Sequence, residues 1–246
     1  MPYYGFGYGF GIDPAYLLLV VVSLVLGMAT QGYINSTYRT WSKVKGDGAS
    51  GADVARRMLD ANGCGRVGIK STAGHLTDHY DPRDNSLYLS GENLSGGSVA
   101  SIAVACHEAG HAVQRQSGYF MMRVRSALVP VVNLSQSMWM LVFIMGVALN
   151  IAGLTTLAIV LFAFSVLFQI VTLPVELDAS RRAVDYIRAS GMSELNVRGA
   201  RKVLTAAALT YVAAALTSIL QLVYLLGRTG PSRDRGCGRR RVRAAR

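Results

Sequence analysis

The chain has 246 residues, of which 51% are hydrophobic and 16% charged, well below the charged share of about 25% usual in soluble domains. Its formal net charge is +11, but the tail after Gly227 holds eight of the cations and a single Asp, so most of the excess lies outside any folded face. No basic patch interleaved with aromatics is present, which excludes a nucleic-acid partner, and the widely spaced Cys64, Cys106 and Cys237 form no disulfide or zinc-knuckle pattern and read as free thiols.

Residues 1–14 form a Gly- and Tyr-rich arm. Pro14 to Tyr38 then carries no Asp, Glu, Lys or Arg, enough for one membrane-spanning helix of about 20 residues. The span is placed at 15–33. It has no positive leading region, so it reads as a retained anchor rather than a cleaved signal.

A polar segment follows at 34–127. Ser50 with Asp53 predicts a capping box that opens a helix. Val54, Ala55, Met58 and Leu59 share one face of that helix, and Gly63 ends it. A short strand is expected near 67–69. A hairpin of strands at 75–80 and 86–90 is expected around the turn Asp81-Pro82-Arg83-Asp84-Asn85. A further helix opens after Gly96, Gly97 and Ser98 and runs to about Gln116.

Ser126 to Val175 is free of charge over fifty residues. It predicts two spans, 128–149 and 153–174, broken near Asn150 to Gly153. A helix is expected over 175–202, opened by Pro174 in its first turn. The last uncharged run gives a fourth span within 203–227, and residues 228–246 make a basic, disordered tail. The expected fold is therefore α+β: a mainly helical multi-pass membrane protein of about four transmembrane helices, with a small unit built from 34–127 and 175–202. Four crossings put both pieces of that unit on one side of the membrane.

The chemistry is carried by Cys106-His107-Glu108-Ala109-Gly110-His111, which contains H-E-x-x-H. Residues four apart share a helix face, so His107 and His111 can offer two nitrogens to one Zn²⁺. Glu108 stands about 100° further round the helix, able to reach a water on the metal as general base. A shuffled chain with the same four His and four Glu would meet these three positions only about 0.001 times. The plain alternative, two core histidines beside an incidental glutamate, leaves a buried carboxylate without a partner.

Catalytic zinc takes three protein ligands and keeps one position open. On spacing, the third ligand can come from His75 or His79 before the motif, or from Glu176, Asp178, Asp185 or Glu194 after it. Glu176, just after Pro174, is favoured. The strand at Ser86 to Ser90 is the candidate edge for pairing with a substrate. His79 or Tyr80 is a candidate oxyanion donor, or simply part of the hairpin.

Several stretches resemble a known family. They are Trp41 to Val44, Gly51 to Arg57, Leu76 to Pro82, His107 to Gln114, Arg125 to Pro130, Leu173 to Arg182 and Ala206 to Val212. In this order they resemble the neutral zinc metallopeptidases of bacterial membranes, the YugP-type family. The resemblance implies a zincin-like unit on membrane helices in the bacterial plasma membrane, with one Zn²⁺ per chain. It implies an endopeptidase acting on peptides or proteins, membrane proteins among them. It is also similar to membrane metallopeptidases that carry the third ligand in a Glu-x-x-Ala-Asp stretch. Glu176-Leu177-Asp178-Ala179-Ser180 fits that stretch, with Ser180 in place of the Asp. This implies Glu176 as third ligand.

Two other readings are weighed. An intramembrane protease would want an Asp within a later span, and the spans contain none. A non-catalytic scaffold or chaperone with a retained zinc site would have no need of Glu108. Cations flanking the first span, Arg39, Lys43 and Lys45, follow it rather than precede it. By the positive-inside rule this puts the catalytic unit in the cytoplasm, although the Arg-rich tail argues the other way.

Overall fold

The computed structural model describes residues 13–229. The expectations for residues 1–12 and for the tail beyond Thr229 lie outside the described residues. Four helices are long and apolar enough to cross a membrane: α1 (Pro14–Trp41), α5 (Phe120–Ala148), α6 (Ala152–Ala189) and α7 (Glu194–Thr229). Between α1 and α5 lie α2 (Gly51–Ala61), β1 (Gly68–Thr72), β2 (His79–Asp81), β3 (Ser86–Ser90), α3 (Gly91–Ser95) and α4 (Val99–Gln116). The class is α+β with membrane helices.

Local signals explain the short elements. Ser50 and Asp53 form the capping box of α2, each bonding the other's backbone N–H. Val54, Ala55, Met58 and Leu59 form its buried face against α4. Ser98 caps α4 by accepting the Ser101 N–H at 3.1 Å. The strand at 86–90 forms as expected, whereas β1 lies one residue later than expected and β2 starts only at His79. Gly74 and Leu76 take positive φ values of 106° and 55°, which interrupts extended backbone before β2.

Ser86–Ser90 is not an edge. The sheet order is β1-β3-β2, with β3 parallel to β1 and antiparallel to β2. The central strand's hydrogen-bonding groups are spent on both neighbours, so it cannot accept a substrate strand along its length. The free edges belong to β1 and β2, and β2 packs against α4.

The helix expected at 175–202 is also different. α6 runs without a break through Pro174, and the break falls instead at Ser190 to Ser193, before α7. Pro174 forfeits one backbone bond inside α6, but the apolar span and the segment bearing Glu176 are one continuous helix. The turn between α5 and α6 is at Leu149 to Ile151, where Asn150 has φ 54°.

One hydrophobic core joins the two polar pieces. It gathers Met58, Leu59, Leu87, Ile102, Cys106, Val175, Ile187 and Val203. α4 thus lies between the α2–sheet layer and the ends of α6 and α7.

Candidate metal centre

Gly110 lets α4 pack closely against α6. A Cβ there would lie 2.8 Å from the carbonyl oxygen of Ala179, so even Ala would push the two helices apart. This contact brings Glu176 to the histidine face of α4. Glu176 Oε2 lies 3.2 Å from His107 Nε2 and 3.6 Å from His111 Nε2. The imidazole rings stand edge to face, with centroids 4.8 Å apart. One nitrogen from each and a carboxylate oxygen all fall within 4.8 Å of one another.

The far sides of the rings are held too. His111 Nδ1 lies 3.0 Å from Gln114 Oε1. The amide NH₂ of Gln114 is committed to the Val175 carbonyl at 2.7 Å and to Asp178 Oδ2 at 3.0 Å. The amide oxygen therefore faces His111 and accepts, which puts a proton on Nδ1 and leaves Nε2 as the atom turned toward Glu176. Ser180 Oγ is 3.1 Å from His107 Nδ1 and can accept in the same way. Ser180 thus takes up the outer nitrogen of His107, while Asp178 acts on His111 through Gln114. Outer partners of this kind orient metal-ligating imidazoles.

Electrostatics follow burial. Glu176 is 3% exposed. Burial disfavours its charge, but hydrogen bonding and proximity to His107 and His111 outweigh this and hold the carboxyl far below its ordinary range. For His111, burial works against protonation, and Glu176 and Glu108 overcome it and raise its pKa. Asp178 is likewise opposed by burial and held low by Arg182, Gln114 and Arg181. Two imidazoles drawn to a buried carboxylate are a donor set suited to a divalent cation, and His, His, Glu is a known catalytic zinc set.

Glu108 follows His107 on α4 and is 8% exposed. Its charge acts on His111 and on Tyr211 of α7. The Glu176 charge also acts on the Tyr211 phenol, and an Arg125 guanidinium nitrogen lies 4.0 Å from Glu176 Oε1. Sequence reasoning assigned no role at the site to Gln114, Arg125 or Tyr211. An Arg directly before the uncharged run that begins at Ser126 is a signal that could have found Arg125.

The other ligand candidates are engaged elsewhere. His75 pairs with Glu92 at 3.2 Å, and His79 stacks on Tyr88 with centroids 4.9 Å apart. Asp185 is exposed beside Arg188, Glu194 is exposed at the start of α7, and Asp178 holds Gln114 and two arginines. Tyr80 donates its hydroxyl to Asn85 at 2.7 Å. His79 and Tyr80 are thus engaged within the hairpin.

Residues 16–229 match the family described as "Putative neutral zinc metallopeptidase". The chain belongs to this family. It is 42% identical over 210 residues to "Putative membrane protease YugP" of Bacillus subtilis (strain 168), a match covering 85% of this chain and 93% of that protein. No solved structure matches the chain. Among the described residues, His107, His111 and Glu176 form the group of this family member that could hold a metal ion.

Proposed function

We propose that the protein is a membrane-bound zinc endopeptidase that hydrolyses peptide bonds with metal-activated water and Glu108 as general base. The observation that carries this is the convergence of His107, His111 and Glu176 beside Glu108. One zinc per chain would be held by those three side chains. Bound there, it would supply Lewis-acid polarisation and lower the pKa of a water to about 7.

The chain's own residues do the rest. Glu108 takes the proton of the attacking water and returns it to the leaving amine. Gln114 and Ser180 keep the imidazoles in the tautomer that presents Nε2. Arg125, 4.0 Å from Glu176, and Tyr211, on which the Glu176 charge acts, are the groups that would donate to the oxygen that gains charge as the carbonyl is attacked. The test is cleavage of a denatured protein by the purified, zinc-loaded chain. Activity should disappear with a chelator and return with zinc. Cleavage that survives complete removal of metal would refute the reading.

The catalytic unit is proposed to face the cytoplasm, supported by the cations that follow the first span. Single cysteines would be placed at Ala61, exposed at the end of α2, and at Gly153, which has nothing within 4 Å on the opposite side. With the native cysteines replaced, an impermeant thiol reagent on intact cells should label Gly153→Cys and not Ala61→Cys. The opposite pattern reverses the orientation.

A further inference from the structure

The depth of the metal centre follows from helix continuity. α6 rises without a break from Ala152 at the far turn to Glu176, which at about 1.5 Å per residue is roughly 36 Å. A tilt of about 20° shortens this to roughly 34 Å. The hydrocarbon core is about 30 Å thick, and the two headgroup layers bring the total to about 40–45 Å. Counted from Ala152, the core ends near Thr172. Glu176 then stands close to the boundary between hydrocarbon and headgroups.

The exposed side chains agree helix by helix. On α6, Leu177, next to the ligand, is still 52% exposed, and Arg181 is exposed one turn further out. On α7, Arg201 and Lys202 are exposed before the outward-facing series that begins at Leu209, two residues from Tyr211. On α5, Arg125 reaches Glu176, and apart from Phe120 at the helix start the exposed large apolar residues begin at Val129. α1 packs against α7, with Tyr16 on Tyr224. Counting from that pair, Met28 on α1 and Tyr211 on α7 stand at matching heights. Met28 is exposed, and Gln31 and Asn35 follow it. All four helices therefore change from lipid-suited to polar surface at the level of the metal ligands.

We infer that the substrate is the polypeptide stretch immediately outside a transmembrane helix of another membrane protein, presented to the metal within the headgroup layer. This rests on the peptidase reading above. An extended chain advances about 3.3 Å per residue, so the bond at the metal lies within the first few residues beyond the substrate's own apolar span. A chain tethered so close to the bilayer is held at the right depth by its own helix. A folded soluble protein would have to push a loop among the headgroups.

The experiment uses the full chain, zinc-loaded, in phosphatidylethanolamine–phosphatidylglycerol vesicles. Two reporters share one transmembrane helix and one unstructured linker. In the first the linker joins the helix directly; in the second a Gly/Ser spacer of about 40 residues intervenes. Both are tethered to the same surface, so local concentration does not separate them. The directly joined linker should be cut at least about tenfold faster, with cuts mapped by mass spectrometry to its first few residues. Equal or faster cutting after the spacer would overturn the inference. A denatured soluble protein serves as the third arm. If it is cut while neither reporter is, the inference falls and the peptidase reading stands. If nothing is cut by zinc-loaded, folded protein, both fall.

Discussion

Glu108→Gln should bind zinc and fold as the wild type does, yet cleave protein substrates about 10²–10⁴-fold more slowly. The amide keeps the shape of the carboxylate and cannot take a proton. Glu108 is 8% exposed on a helix whose surrounding face is closely packed, so an isosteric change is tolerated where a larger one would strain the core. Its place beside the converging ligands makes the expected loss one of proton transfer rather than of metal. The measurement pairs zinc content and thermal unfolding with initial rates. A Gln variant that cleaved at the wild-type rate would remove Glu108 from the mechanism. A wild type that bound zinc without cleaving anything would favour the scaffold reading instead.

The second large effect is expected on the metal itself. Glu176→Ala should strip zinc from the purified protein, as should His107→Ala. Asp178→Asn should leave zinc bound, but about 10–100-fold more weakly. The difference follows from distance. Glu176 contributes the oxygen that sits 3.2 Å and 3.6 Å from the two Nε2 atoms. Asp178 acts one layer out, through the Gln114 amide that fixes His111. Metal analysis after exhaustive dialysis against dilute chelator separates the two behaviours. Full zinc content in Glu176→Ala would mean that another group completes the site, and the geometry above would have to be abandoned.

Where sequence reasoning succeeded, the pattern was local. His107 and His111 are one helical turn apart, so their common face follows from a period of 3.6 residues. The capping box at Ser50 and Asp53 spans three residues, and the uncharged runs marked the four apolar helices. Glu176 is 69 positions from His107, and no periodicity reaches that far. Spacing left six candidates open with Glu176 favoured, and resemblance to a family strengthened that choice.

The misreadings have physical causes. Pro174 signals a helix start in isolation, but packing of Val175 and Ala183 into the core carries α6 straight through it. An alternating stretch at Ser86 to Ser90 reads the same whether it lies at a sheet's edge or its centre. Only the parallel pairing with β1, 18 residues earlier, made it central.

The sequence by itself determined the motif, the number of apolar helices and the start of α2, because each depends on residues within a turn or two of one another. The tertiary structure alone decided the rest. It decided that Gly110 lets α4 meet α6 and that Ser180 and Gln114 orient the imidazoles. It also decided that Arg125 and Tyr211 come to Glu176. Those contacts join segments far apart in the chain, and their geometry is set by helix packing, to which each segment's own sequence contributes only one of the two surfaces.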